Sequence, residues 1–430
     1  MLNSLLLAAA TATLASHNGP VEYAVKPGDT LSGLVDNYIV PEHDWHDLQR
    51  IWRVSDPRHL PARETFAIPR QWLRWAHEPA KILSIRGSVT LKINGRAVSP
   101  SVGLALREGA EISTGANSFA TLVLANGSHI ALPSQSHVIL SRLRKFLING
   151  SIDYRLNLDQ GRINATATPL KNSGDNLIVN TPLSMTAVRG TQYTVAFDSV
   201  RETSGTGVLK GVVAVARTDG SLSQLVPARF GMITDALGKR KQMELLRAPE
   251  LKNPKRVQAD DLVTFDLTPV PGALGYHALL ASDAGFVDSY SEQESTVPHF
   301  EFSGVPNGNQ FVRITAIGED GMPGLRQSYA FSRHLASIDA EVSKGEDGFV
   351  FKWSGQGEGE RHYRLQIRQD IPDGKAIVDE VGLTGNEATI HNLPVGIYFW
   401  RIAVSQTDSE GSIENWTEPE KLTVLAPGGS

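Results

Sequence analysis

The C-terminal part of the chain repeats itself, and that repeat limits the folds available. Gly275-Tyr276-His277-Ala278-Leu279-Leu280 aligns with His362-Tyr363-Arg364-Leu365-Gln366-Ile367. About thirty residues on, Val305-Pro306-Asn307-Gly308 with Phe311-Val312-Arg313-Ile314 aligns with Leu393-Pro394-Val395-Gly396 and Phe399-Trp400-Arg401-Ile402 at nearly the same spacing. A pattern recurring at that period implies two copies of one self-contained unit. Phe265-Asp266-Leu267 corresponds to Phe351-Lys352-Trp353, so each copy carries an early aromatic for its core. Short apolar stretches broken by Gly, Pro and Asp turns predict a β-sandwich for each copy, over residues 248–336 and 337–426.

Residues 80–247 have the same strand-and-turn texture without the repeat. Ile85-Arg86-Gly87-Ser88-Val89 is followed by the run from Ala116 to Leu124 and the turn Asn126-Gly127. Hairpin-type dipeptides recur at Asn149-Gly150, Gln160-Gly161 and Asp219-Gly220, predicting an all-β unit. Within it, Arg189-Gly190 reads as a buried, carboxylate-paired arginine beside a glycine that permits close strand approach.

The N-terminal part differs. Glu22-Tyr23-Ala24-Val25 alternates like a short strand, Pro27-Gly28 is a turn, and Asp29 or Thr30 suits the N-cap of a helix carrying Leu31, Leu34 and Val35. A second helical pattern runs through Trp45, Leu48, Ile51 and Trp52. After Ser55-Asp56-Pro57 comes a last strand through Phe66 and Ile68. The order is β-α-α-β over residues 21–70. Gln71 to Pro79 reads as a linker whose Trp72 and Trp75 pack one module against the next. Ahead of all this, Leu5 to Ala10 and Thr13-Leu14-Ala15 have the form of a signal peptide over residues 1–15. No later apolar run reaches transmembrane length, so an exported mature chain without a transmembrane segment, in the periplasm or cell envelope, is expected.

The full chain has 430 residues, enough for several cores. It contains no cysteine, which excludes thiol catalysis, thiolate-bound zinc and disulfides together. Its formal charge of -5 is unevenly spread, with a basic middle and an acidic tail. Such charge serves solubility, or presents a basic face to anionic polymer or lipid.

Three resemblances follow from these motifs. Val25-Lys26-Pro27-Gly28-Asp29-Thr30-Leu31, with Asp56-Pro57-Arg58-His59-Leu60-Pro61 and Phe66-Ala67-Ile68-Pro69, resembles the LysM domain, which binds the N-acetylglucosamine backbone of peptidoglycan and chitin. The resemblance implies a glycan groove in which Gly28, Asp29, Thr30 and Leu31 face Ser55, Asp56 and Pro57. Two departures are present: Pro61-Ala62-Arg63-Glu64 lacks the family's turn glycine, and Ser32 stands where an aromatic is frequent. Gly87-Ser88-Val89, Leu106 to Thr114, Leu158-Asp159-Gln160-Gly161-Arg162-Ile163, and Thr181-Pro182 through Tyr193 resemble the FecR domain of iron-citrate sensor and anti-sigma proteins. The transmembrane helix and cytoplasmic segment through which those proteins signal have no counterpart in the sequence, so only a recognition module is carried over. The two repeats resemble fibronectin type III domains, through their tyrosine strands and the run from Leu393 to Tyr398.

Catalytic patterns are weak. His43 and His46 stand three apart on a predicted helix with no third ligand indicated. There is no His-Glu-x-x-His, no phosphate-binding glycine loop and no Gly-x-Ser-x-Gly elbow, and Asp370 to Gly374 lacks the rest of a calcium loop. The expectation is a mainly β multidomain protein: a small β-α-α-β LysM-like module, an all-β FecR-like domain of β-roll or solenoid type, and two β-sandwiches. Its expected role is noncatalytic, anchored to peptidoglycan and presenting β-rich domains to an envelope protein, with no cofactor, metal or nucleic acid. The alternatives are a periplasmic sensor component acting through the FecR-like domain and, third, a peptidoglycan-processing enzyme.

Overall fold

The computed structural model describes residues 19–172, 174–252, 254, 257–408 and 411–425. The expected signal peptide lies outside them. The chain divides into two compact units, one from Met1–Pro249, Pro269–Thr296 and Arg313–Gln327, the other from Glu250–Thr268, Val297–Val312 and Ser328–Ser430. The protein is mainly β with several sheets, and no described helix is long and apolar enough to cross a membrane.

The first unit begins with the β-α-α-β segment. Strands Val21–Ala24 and Thr65–Ile68 pair antiparallel, Val21 opposite Ile68. Helix Leu31–Tyr38 starts where the Thr30 hydroxyl accepts the Gly33 N–H at 3.1 Å; Thr30, not Asp29, is the cap. Helix Trp45–Trp52 starts with a capping box between Asp44 and Asp47 and ends on Arg53 in the left-handed region, φ 54°. Leu31, Leu34, Leu48 and Trp52 face a common core with Val21, Tyr23 and Ile68.

Residues 71–79 do not form a linker. Arg70–Trp72 is a 3-10 turn, and strand Trp75–His77 pairs with Arg144–Phe146 of the following β-region. Phe146 and Ile148, from the tip of the hairpin that continues that strand, are buried in the N-terminal core. Arg70 donates to the Gly19 carbonyl at 2.8 Å and the Gly174 carbonyl at 2.7 Å, and Asn149 donates to the Glu22 carbonyl at 3.0 Å. Two modules expected to be strung together thus share one apolar cluster.

From Trp75 to Glu244 the strands form a closed β-structure around one large core. Its pairings fall into two sheets. One runs Arg96–Val98, Val89–Ile93, Glu111–Thr114, His137–Phe146, Ile152–Thr166, Asn176–Asn180, Met185–Val188, Val212–Ala216, Gln224–Pro227. The other runs Ala105–Leu106, Ala80–Arg86, Phe119–Val123, His129–Leu132, Ile152–Thr166, Gln192–Asp198, Thr203–Lys210, Phe230–Asp235, Arg240–Glu244. Of these pairings only Asp153–Asn157 with Asn176–Asn180 is parallel. The expectation of a solenoid is therefore corrected: short hairpin turns impose antiparallel neighbours, whereas a solenoid stacks parallel coils.

The strand Ile152–Thr166 belongs to both sheets, and the exchange happens at Gly161. Before it, Tyr154, Leu156 and Leu158 point inward; after it, Ile163 and Ala165 do. The inward set changes from even to odd positions, as an inserted bulge residue requires: the register with His137–Phe146 skips Asp159, just before Gly161. Gly161 sits at φ +83°, where a Cβ would lie 2.4 Å from the Gln135 carbonyl oxygen. Gln160-Gly161 is thus a mid-strand crossing rather than a hairpin turn. Arg189 is exposed, not buried, because Val188 ends its strand and the chain turns outward there. Gly190 does meet a close neighbour, with a Cβ position 2.8 Å from the Pro169 Cα.

The second unit contains the complete C-terminal sandwich. Asp339–Lys344, Phe349–Ser354 and Glu387–Ile390 form one sheet; Ala376–Leu383, Glu360–Gln369, Gly396–Asp408 and Gly411–Trp416 form the other, with Glu420–Val424 alongside Gly396–Asp408. Phe351, Trp353, Leu365, Tyr398 and Trp400 fill the space between. The Tyr398 hydroxyl donates to the Pro394 carbonyl at 2.8 Å, a tyrosine-corner bond. At the equivalent place in the first repeat, the Gln310 amide donates to the Pro306 carbonyl at 3.1 Å. The unit boundary cuts through that repeat: Val263–Asp266 and His299–Phe302 lie in the second unit, Gly275–Ala281 and Ser289–Ser295 in the first.

Gly161→Ala is expected to cost about 3 kcal/mol, from left-handed strain plus backbone overlap. Gly95→Ala, also at positive φ but with nothing within 4 Å of its Cβ position, should cost only about 1 kcal/mol. Urea unfolding of both variants checks this; equal losses would show that the crossing at Gly161 is not tightly constrained.

Candidate functional site

The two N-terminal loops that the sequence singles out do meet. The Leu31 N–H donates to the Pro57 carbonyl at 3.0 Å, joining the strand-to-helix loop to the helix-to-strand loop. Leu31 supplies this tie, and its side chain is fully buried. Gly28, at φ +91°, is exposed with open space above its Cα. The Asp29 carboxylate accepts from the Tyr23 hydroxyl and the Lys26 N–H, both at 2.7 Å, which fixes the turn. Burial, and then that bond to Asp29, push the Tyr23 phenol well above its ordinary pKa. Ser55 is exposed, and Asp56 accepts from the Arg58 N–H at 2.9 Å and pairs with His59 at 2.8 Å. The Arg58 N–H, then His59, hold the Asp56 carboxyl below the usual range. Most polar groups in these loops are therefore occupied by the loops themselves, leaving the surface at Gly28 and Ser55.

The tryptophans near the junction pack inside the first unit. His43 stacks on Trp72 with ring centroids 4.0 Å apart, and the Arg144 guanidinium lies 4.0 Å over Trp75. Arg144 also forms a two-pronged bond to Glu108, at 2.7 and 3.1 Å. Burial raises the Glu108 pKa, but Arg144 and the Leu143 N–H outweigh it and leave the carboxyl below its ordinary value. His43 pairs with Asp47 and His46 with Asp44, each at 3.2 Å, so the two histidines have separate partners. Among the described residues no group of three or more His, Cys, Asp or Glu side chains could hold a metal ion.

A second site was not singled out from the sequence. Three cavities adjoin at Arg162, of about 560, 580 and 30 Å³. The two larger are lined by polar and charged groups, among them Asn117, Asp198, Arg201 and Glu294. Arg162 is held by its backbone, whose N–H and carbonyl bond to the Ser136 hydroxyl at 3.1 and 3.0 Å. The parity change at Gly161 was the available signal: the residue after a bulge is re-aimed relative to the strand before it.

The wall of this site opposite the FecR-like sheet is pinned by Asp288. Its carboxylate accepts from Arg86 Nε at 2.7 Å, Ser84 Oγ at 2.7 Å and Ser282 Oγ at 2.8 Å. The Arg86 bond, helped by the two hydroxyls and opposed by burial, holds the Asp288 carboxyl far below the usual range. Glu292 accepts from His277 at 2.9 Å and from the Ser134 N–H at 3.1 Å, and Thr121 donates to the Val287 carbonyl at 2.8 Å. A folded-state pKa below the unfolded value means that the Asp288 contribution is present above roughly pH 4 and lost as pH falls below it. Asp288→Asn should therefore be less stable than wild type by about 2 kcal/mol at pH 7. Thermal melts should show that gap shrinking between about pH 4 and pH 2; a gap independent of pH would contradict the ion-paired assignment.

Residues 110–214 match the family model described as FecR protein, so the central β-region contains a FecR domain. No curated protein matches the chain. Among solved structures, a protein of Parabacteroides distasonis described as a candidate anti-sigma factor is similar over 31% of this chain and 59% of its own, with 16% identity and a TM-score of 0.26. The chain thus spans 59% of the length of that relative. A two-domain fibronectin type III segment from chicken tenascin is similar over 43% of this chain and all of its own, with 13% identity and a TM-score of 0.20.

Proposed function

We propose that this protein is a noncatalytic component of an envelope signalling system, in which the FecR domain recognises a protein partner. The match over residues 110–214 is the observation that carries this reading. The surface supports it: Val200, Leu222 and Leu237 stand 90%, 60% and 92% exposed. They lie in the loops after strands Gln192–Asp198, Val212–Ala216 and Phe230–Asp235. The first and third loops join neighbouring hairpins, since Thr203 pairs with Asp235, and Arg240 donates to the Leu222 carbonyl at 2.5 Å, bringing the second alongside. Exposed apolar side chains gathered at one rim favour a protein partner over free solvent. A photo-crosslinking residue placed at 200, 222 or 237 in the native host is expected to trap a membrane signalling protein, and a control at Val102 on another loop should not. Adducts confined to cell-wall material would overturn the proposal.

A second reading concerns the N-terminal segment, which we infer to be a peptidoglycan mount. The bond from Leu31 to Pro57, which brings its two loops together beside the open space at Gly28, favours it. Asp29 and Thr30 hold the turn and the helix cap, so changing them tests folding rather than binding. Ser55→Tyr instead fills the exposed surface. Sedimentation with purified sacculi should retain wild type and lose most Ser55→Tyr; equal retention, or none for either, would remove the glycan reading and leave the signalling proposal standing.

A further inference from the structure

The smallest of the three cavities, about 30 Å³, lies among Arg162, Arg313, Arg326, Asn164, His277 and Thr315. That space accommodates one water-sized or ion-sized occupant. Arg326 donates to Asn164 Oδ1 at 2.7 Å and to Thr194 Oγ1, both neutral acceptors. Arg162 Nε is buried with no hydrogen-bond partner. Glu292 is already bonded to His277 and Ser134, and Asp283, whose charge acts on Arg313, accepts the Gly285, Val287 and Asp288 N–H groups. Three guanidinium groups therefore line one small cavity, and the side-chain bonds of Arg326 go to neutral oxygens.

A buried donor without an acceptor is costly, and like charges converging on one small cavity add to that cost. The strain is visible at Arg326: burial, then the neighbouring Arg313 and Arg162, push its guanidinium down to about 9. We propose that this cavity binds one singly charged anion, a halide or a single carboxylate group, between Arg162 and Arg326. A free ion would fill the small cavity alone. A carboxylate would carry its ligand's body into the adjoining space of about 560 Å³, whose polar lining suits a small hydrophilic acid. The site does not depend on the signalling proposal or on glycan binding.

The test uses the full chain in sodium methanesulfonate, whose anion is neither a halide nor a carboxylate, at constant ionic strength, with sodium chloride or sodium acetate substituted stepwise. Wild type should show a saturable rise of about 3 °C in Tm. Arg326→Met should show none, and Arg162→Gln a rise at several-fold higher anion concentration. A rise with chloride alone assigns a free halide; an equal or stronger rise with acetate assigns the carboxylate of a ligand. Should Arg326→Met not fold, Arg162→Gln and crystals grown in bromide decide the matter, the latter by an anomalous peak among the three arginines. Identical responses of wild type and the folded variants, or no bromide in the cavity, would overturn the proposal.

Discussion

One β-strand here serves two sheets, and its inward face turns over between Leu158 and Ile163, across the inserted residue Asp159 and the kink at Gly161. Gly161 adopts a backbone conformation that other residues enter only with strain, within 2.4 Å of a carbonyl oxygen at the position a Cβ would take. Because it does, Tyr154, Leu156 and Leu158 on one side and Ile163 and Ala165 on the other all enter a single core. The same reversal places Arg162 at the meeting point of three cavities. The small residues of Thr203–Lys210 complete the arrangement. Ser204 and Thr206 meet Ser184 and Thr186 through their hydroxyls at 2.7 and 2.8 Å, while Gly205 and Gly207 leave room on the other face for Met322.

The N-terminal segment is not an independent bead on this framework. Its core is completed by Phe146 and Ile148, and Arg70, Asn149 and the strand Trp75–His77 fix it by hydrogen bonds to backbone on both sides of the junction. A module of about fifty residues buries too little surface to be very stable alone, and borrowed aromatic and aliphatic side chains make up part of the deficit. The N-terminal segment is thereby joined directly to the FecR-containing β-region.

Much of this was legible in the sequence. The N-terminal order β-α-α-β followed from strand alternation, the Pro27-Gly28 turn and the caps; the C-terminal repeat announced itself through matched tyrosine and proline positions. Gln310 shows what pattern matching misses, since it performs the bond that Tyr398 makes in the other copy although the two residues look unrelated. Gln160-Gly161 has the composition of a turn, and only the parity of the flanking apolar residues distinguishes a bulge from a hairpin. Trp72 and Trp75 pack against the N-terminal core as their aromatic character suggests, but their 3-10 turn and three-residue strand are too short for any periodicity to reveal. Of the candidate glycan residues, the sequence placed the two loops but not their internal hydrogen bonds, which occupy Asp29, Thr30 and Asp56. The arginine cavity draws on residues from 162 to 326, a separation at which local pattern carries no information.

The shared apolar cluster predicts that the N-terminal segment and the FecR-containing β-region open as one cooperative body. Native-state hydrogen exchange of the full chain tests it most directly. Amides of Leu34, Leu48 and Trp52 should exchange with the same opening free energy, and the same denaturant dependence, as those of Leu143 and Leu156. Helix amides that exchange through a separate opening, lower by more than about 2 kcal/mol, would contradict the shared core and return the N-terminal segment to the status of a tethered module.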